Sequence, residues 1–289
     1  LLATALFASP RGALPESVLL RQLDLYLKLL RGWPYGPRVT VTSATPAEIV
    51  EYGVTLKIVS RLPQKLGDII KMSDESAQLI AYYRNNVLHL FALPSLVACA
   101  FIGNSLLRTE DIQRLAWRIY PYVASELFLR WREDELARVV DEVLAALGEL
   151  GVLHPNEDCT VWHRPPPGSP AAQQLSMLAQ ATIQTIERYY LAISVLLRAG
   201  SGVINQKALE QQCQLAAQHI NILYGFNSPE FFDRALFQNF IDLLRERGVI
   251  RTGEGGNLEF DEVLVRVAAD AQLVLSEQIR HSILQVTQV

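Results

Sequence analysis

The chain has 289 residues, of which 50% are hydrophobic and only 19% are charged, and its formal net charge is −4. The length suits one large domain or two modest ones, and the negative charge argues against a nucleic-acid partner. The three cysteines are far apart in the sequence and form no CxxC pair, which argues against a metal site and a disulfide framework. The shortage of charge leaves two interpretations open: a large helical core, or an apolar surface that another domain or a membrane covers.

The N-terminal quarter is predicted to contain two helices and a hairpin. Apolar residues at helical spacing predict a helix over 14–31. The sequence TPAE at 45–48 is a capping box, with Thr45 as N-cap and Glu48 at N3, and predicts a short helix. Two short strands are then expected around a turn at 62–67.

The longest apolar run, VLHLFALPSLVACAFIG at 87–103, belongs to a helical region predicted over 76–103. Its length is at the lower end of the roughly 17–25 residues that span a bilayer. Proline inside a helix removes one backbone hydrogen bond. We therefore predict a buried helix pair broken near Pro94, with a transmembrane helix as the alternative. The next helix is predicted to begin with Thr109 as its cap.

Two later stretches, 134–163 and 233–261, resemble each other. Each contains an amphipathic helix that ends in Gly-Val-Leu or Gly-Val-Ile, followed by a polar turn and a second short strand. Together with the helices before them, these stretches predict two winged-helix-like units. The Pro-rich sequence RPPPGSP at 164–170 is the predicted boundary between the units.

The C-terminal part is predicted to be helical apart from its hairpin. A long helix over 171–199 leads into the second unit, where Gly225 is expected to end one helix and Ser228 to start the next. A final helix is predicted over 262–284. The predicted fold is mainly α: a helical bundle with two winged-helix-like units and about three short β-hairpins. No βαβ alternation occurs, which argues against a Rossmann or barrel fold.

The predicted domain organisation has three regions. Residues 1–72 form a helical segment plus a short hairpin, and residues 73–165 a helical region with the first winged-helix-like unit. Residues 166–289 contain the long helix, the second unit and the C-terminal helix. The first residue is not Met, so we expect the sequence to continue from a longer protein.

Known catalytic motifs are missing from the sequence. No P-loop, Gly-x-Ser-x-Gly, His-Glu-x-x-His or EF-hand pattern occurs. The Gly-rich stretch GEGGN at 253–257 is expected to be a hairpin turn. His154 and Asp158 fall in the other predicted hairpin, where they would decorate an exposed loop. We expect no metal site and no cofactor.

The helix around YYRNN carries the most informative polar residues. At 100° per residue, one stripe contains Tyr82, Asn85, Asn86 and His89, with Arg84 at its edge. The opposite face is predicted to be apolar and buried, and comprises Leu79, Ile80, Tyr83, Val87, Leu90 and Phe91.

This stripe has no carboxylate and no strong nucleophile, so catalysis by it alone is disfavoured. Asparagine and tyrosine at helical spacing suit hydrogen bonds to another element, and we expect a packed polar seam. Arg84 is the exception, because it could reach a phosphate or an acyl donor. The stripe is therefore a candidate interdomain or substrate-proximal surface.

Several segments resemble the bacterial membrane-bound glycerol-3-phosphate acyltransferases, which are related to mitochondrial glycerol-3-phosphate and peroxisomal dihydroxyacetone-phosphate acyltransferases. The most specific segment is GDIIKMSDESAQLIAYYRNNVLHLFALPSLVA at 67–98, and ELFLRW at 126–131 also matches. NSPEFFDRALF at 227–237 and ATALFASPRGAL at 3–14 extend the resemblance over nearly the whole chain.

The resemblance implies an enzyme that moves an acyl group from acyl-carrier protein or coenzyme A to the sn-1 hydroxyl of glycerol 3-phosphate. The product, lysophosphatidate, is the first intermediate of phospholipid synthesis. The implied location is the cytoplasmic face of the bacterial inner membrane. The implied partners are an upstream acyltransferase domain, the membrane surface as a peripheral contact, and the acyl donor. No nucleic acid is expected.

The chain departs from this family at the catalytic motif. The family uses His-x4-Asp, in which His is the general base and Asp orients it. The positions five residues after the five histidines are Pro94, Cys159, Gly168, Tyr224 and Val286. We therefore expect a C-terminal accessory or docking region that continues from an upstream catalytic domain and is inactive alone. The alternatives are an independent winged-helix adapter and a helical interaction scaffold.

Overall fold

A computed structural model describes residues 1–9, 11–224 and 233–287. The described residues form helices and three small antiparallel sheets, so the predicted mainly α bundle with short hairpins is confirmed. The helices are α1 Leu2–Phe7, α2 Glu16–Gly32, α3 Pro46–Thr55, α4 Ala77–Ala100, α5 Thr109–Leu127, α6 Leu136–Glu149, α7 Pro170–Ala199, α8 Gln206–Tyr224, α9 Arg234–Glu246, α10 Glu262–Leu273 and α11 Glu277–Thr287. The strands are β1 Ala13–Pro15, β2 Val59–Leu62, β3 Ile69–Met72, β4 Leu106–Arg108, β5 His154–Pro155, β6 Val161–His163, β7 Ile250–Thr252 and β8 Leu258–Phe260.

Helices α4 and α7 form the central helix pair of the bundle. The C-terminal half of α4, residues 92–100, is buried throughout. At the contact, the Ser95 hydroxyl accepts a hydrogen bond from the Thr182 N–H at 3.0 Å and donates to the Ala179 carbonyl at 2.9 Å. The hydroxyl thereby ties α4 to the backbone of α7 inside an otherwise apolar contact.

The predicted break near Pro94 is wrong, because α4 is one helix with Pro94 inside it. Proline removes a single N–H from a helix of 24 residues, and burial of the surrounding apolar residues against α7 offsets that loss. Among the helices of the described residues, none has the length and hydropathy needed to cross a bilayer.

Two boundaries differ from those predicted, and a third is not tested. Thr109 is the first residue of α5 and not its N-cap; its hydroxyl donates to the Cys159 carbonyl at 2.8 Å and so joins α5 to the neighbouring hairpin. The single helix predicted over 262–284 is two helices, because Val274 and Leu275 leave the helix to enter the core. The helix end and start predicted at Gly225 and Ser228 lie outside the described residues.

The capping box at Thr45 and the turn before β3 occur as predicted. Sheet pairing adds strands that the sequence analysis did not predict: β1 pairs with β3, and β4 pairs with β6. The order α4, β4, α5, α6, β5, β6 is followed by α7, α8, α9, β7, β8, with an isolated bridge between Asn205 and Asn257. The helix–hairpin repetition is therefore present, while the winged-helix label and the division at 72 and 165 stay predictions.

Candidate docking surface on helix α4

The predicted polar stripe lies on the N-terminal half of α4. Tyr82 is 61% exposed, Asn85 and Asn86 are also exposed, and His89 is half-buried. No other element in the described part of the chain covers these three exposed side chains. The described part of the chain therefore leaves this stripe exposed, and the packed polar seam stays a prediction.

Arg84 is on the buried face of α4, with only 9% of its surface exposed. Its guanidinium lies 4.7 Å from the centre of the Phe7 ring on α1. The guanidinium also donates to the Asn85 amide oxygen at 3.2 and 3.1 Å. These contacts hold Arg84 between α1 and its own helix and fix the orientation of the Asn85 side chain.

Tyr83 was expected in the core, and that prediction is wrong because the side chain is 48% exposed. Leu79, one turn earlier, is also exposed. Ile80 and Phe91 are buried as predicted, and Ala81, Arg84 and Leu88 complete the buried face. The buried face is rotated relative to the prediction, since the arginine lies against the Phe7 ring and takes a place that an apolar side chain would fill.

His89 ends the stripe next to an aromatic cluster. Its ring meets the Tyr35 ring edge to face, with 5.0 Å between the ring centres. Burial lowers the pKa of His89 below its ordinary value of 6.5, so the imidazole is neutral at pH 7. Among the described residues no carboxylate contributes to this shift of the His89 pKa. The residue lacks the acid that would orient a general base.

The aromatic cluster contains Trp33, Tyr35 and Trp131. Trp33 stacks on Trp131 at 5.2 Å, and Tyr35 meets Trp131 edge to face at 4.9 Å. The Tyr35 hydroxyl accepts a hydrogen bond from the Arg130 backbone N–H at 3.1 Å, and the Arg130 guanidinium lies over the Tyr35 ring at 5.6 Å. Burial raises the pKa of Tyr35, so its hydroxyl stays protonated.

Sequence reasoning missed this cluster because its members lie outside periodic segments. Two signals in the sequence point to the cluster. One is the aromatic pair in GWPYG at 32–36, and the other is ELFLRW at 126–131, a segment that resembles the family and has Trp131 as its last residue. The cluster is next to His89 and continues the exposed stripe across two further segments of chain. We call the combined area the α4 surface; it consists of Leu79, Tyr82, Tyr83, Asn85, Asn86, His89, Tyr35 and Arg130.

The α4 surface has the composition of a protein interface. Tyrosine, tryptophan and arginine are enriched at such interfaces, and asparagine amides supply hydrogen bonds. Across the described residues, no group of three or more His, Cys, Asp or Glu side chains is placed to hold a metal ion. The surface presents aromatic rings, amides and the Arg130 guanidinium, which are groups that suit contacts with another protein.

A family model described as "Glycerol-3-phosphate acyltransferase C-terminal region" matches residues 1–253. The chain belongs to this family. The chain is 43% identical over 287 residues to a protein of Pseudomonas aeruginosa (strain UCBPP-PA14) named glycerol-3-phosphate acyltransferase. Proteins of the same name from Pseudomonas fluorescens (strain SBW25) and Pseudomonas putida (strain GB-1) are 42% and 41% identical.

Each of these alignments covers 99% of the chain but only 34% of the relative. The chain therefore spans about a third of the length of the curated relatives it matches. The predicted family resemblance is confirmed over nearly the whole chain. The larger part of each relative has no counterpart in the residues printed here.

Proposed function

We propose that this chain is the C-terminal accessory region of a glycerol-3-phosphate 1-O-acyltransferase and that its α4 surface docks onto the upstream acyltransferase domain of the same enzyme. The observation that carries the proposal is the exposed row Leu79, Tyr82, Tyr83 and Asn86 in a chain that corresponds to about a third of its relatives. Such a row exposes apolar surface to water, which is unfavourable unless a partner covers it.

In this proposal, acyl transfer takes place outside the chain. The residues that would form His-x4-Asp are missing from the sequence, and His89 is desolvated without an orienting acid. The full enzyme would move an acyl group from acyl-carrier protein or acyl-coenzyme A to glycerol 3-phosphate. The expected readout is simple: the 289-residue chain alone gives no labelled lysophosphatidate with either donor, and turnover that scales with protein would contradict the assignment.

The docking role is tested by placing a charge in the α4 surface. Asn86→Arg in the longer enzyme adds a long cation to the docking face and should lower acyl transfer at least about tenfold, since an unpaired interfacial charge costs several kcal/mol. Gln211→Arg on α8 is the matched control, because Gln211 is also an exposed helical residue with a neutral amide. Both variants of the 289-residue chain should melt like the parent. Equal acyl-transfer activity of Asn86→Arg and Gln211→Arg in the longer enzyme would contradict the docking role.

A peripheral membrane contact at the cytoplasmic face of the inner membrane is the second part of the proposal. Leu62 is exposed at the end of β2, and the turn that follows exposes Leu66 completely, beside Lys65. Leucine with lysine on a projecting turn suits the boundary between lipid head groups and acyl chains. Leu66→Ser should therefore weaken sedimentation with anionic vesicles, and unchanged sedimentation would exclude this turn as the contact.

The charges of α6 argue against the alternative of an independent winged-helix adapter that binds nucleic acid. Arg138 is the only basic residue of α6, and it is paired with Glu142 and lies 3.6 Å from Glu135. A helix with this acidic face repels phosphate. The proposal therefore includes no nucleic-acid partner.

A further inference from the structure

A cleft of about 240 Å³ lies between α5, α7, α9 and α10 and shares no residue with the α4 surface. Its inner wall consists of the buried side chains of Ile186 and Ile193 from α7 and Phe240 from α9. Val263 and Val267, one turn apart on α10, line the opposite side and are half-buried. We call this space the chain cleft.

The aromatic rings that line the chain cleft present carbon to it. Tyr189 stacks on Phe240 with 4.2 Å between ring centres and 7° between planes. The Tyr189 hydroxyl is already occupied: it donates to the Tyr122 carbonyl at 3.1 Å and lies 2.8 Å from a Glu126 carboxylate oxygen. The interior therefore offers dispersion contacts and burial rather than hydrogen bonds.

Charged residues are confined to the mouth of the cleft. Arg118 on α5 pairs with Asp270 on α10, and Arg247 pairs with Glu133 at 2.9 Å. Trp117 is half-exposed beside them. Each cation has a carboxylate partner, so the mouth carries paired charges and the interior carries none.

We propose that the chain cleft binds the terminal segment of an unbranched hydrocarbon chain, whose polar head stays in water beside the ion pairs. An apolar cavity of about 150 Å³ is already large enough to bind benzene, and such cavities stay dry. The cleft is larger, open at one side and lined by carbon. Because its charges are paired, it selects the chain and not the head group. This inference goes beyond docking and uses different helices.

Titration of the 289-residue chain with hexanoate and octanoate, each below its micelle concentration, and with 1-octanol below its solubility limit tests the proposal. Each additional methylene should raise affinity about fourfold, the change that corresponds to about 0.8 kcal/mol. Octanoate and 1-octanol should bind within about threefold of each other, since the head stays in water. An affinity at least tenfold higher for octanoate would show an anion site and overturn the proposal.

Methyl NMR of the parent chain locates the ligand without any substitution. Octanoate should shift the methyl signals of Ile186 and Ile193 and leave Leu144, which lines a different cleft beside α6, unchanged. Val267→Phe fills the chain cleft and should reduce affinity at least tenfold. Val265→Phe is the matched control, because Val265 is on the same helix but exposed. Shifts confined to other regions, non-saturable binding, or equal loss in both variants would refute the site.

Discussion

The guanidinium of Arg84 lies over the Phe7 ring and donates to the Asn85 amide oxygen. A cation over a ring and hydrogen bonds to an amide stabilise a buried guanidinium that would otherwise be costly to desolvate. Arg84 is therefore buried beneath the α4 surface. It positions the Asn85 side chain and does not itself project towards a partner.

We predict that Arg84→Ala lowers the free energy of unfolding of the 289-residue chain by about 1–3 kcal/mol, because it removes a buried side chain and leaves a void beside α1. Asn86→Ala on the same helix should change it by less than about 0.5 kcal/mol, because Asn86 is exposed. Urea denaturation measures both. Equal losses would mean that the stripe is packed within the chain.

Glu187 is a buried carboxylic acid on α7, and one of its oxygens has no hydrogen-bond partner among the described residues. Burial raises the pKa of Glu187 from an ordinary value of 4.5 to about 8. The folded chain therefore binds this proton more tightly than the unfolded chain. The stability that results is complete below about pH 4.5 and is lost as the pH rises to about 8.

Glu187→Gln should remove this pH dependence. Between pH 5 and pH 8 the unfolding free energy of the parent should fall relative to that of the variant, by up to about 1.4 kcal/mol per pH unit. Denaturant titrations at four pH values measure the slope. The exposed Glu254→Gln provides the control and should keep the parent's slope. A parent curve parallel to that of Glu187→Gln would show that Glu187 is ionised throughout.

At the scale of elements, the α4–α7 contact depends on a polar pair inside an apolar interface. The Ser95 hydroxyl lies 2.8 Å from that of Thr182, in addition to its bonds with the α7 backbone. Ser95→Ala removes these hydrogen bonds from buried groups of α7 and should cost about 1–3 kcal/mol. Thermal melts of Ser95→Ala beside the exposed Ser105→Ala measure this cost. A Tm equal to that of Ser105→Ala would contradict it.

Local signals in the sequence predicted the elements better than the faces they bury. The capping box at Thr45 placed α3, because its hydrogen bonds are formed within four residues. Strand β1 could not be predicted in this way, since its three residues pair with β3 more than fifty positions later. The buried face of α4 was misplaced for a related reason: Arg84 is covered by Phe7, and no helical periodicity shows a contact between α1 and α4.

At the scale of the whole molecule, α5 and α7 join the N-terminal half to the C-terminal half. Arg188 on α7 forms an ion pair with Glu126 on α5, and Tyr189 continues the contact to Phe240 on α9. This interior is densely connected, whereas the α4 surface projects uncovered side chains from its outer side. This contrast is why we propose docking through the exposed N-terminal half of α4 and not through its buried C-terminal half or through α7.

Hydrogen–deuterium exchange measured over residues 77–90 tests the central claim most directly. The comparison is between the 289-residue chain and the longer acyltransferase to which we propose it belongs. Docking adds an opening cost to the covered helix, so exchange there should slow by at least about tenfold in the longer protein. Residues 137–146 of α6 should exchange equally in both. Equal exchange over 77–90 in the two proteins would contradict docking through the α4 surface.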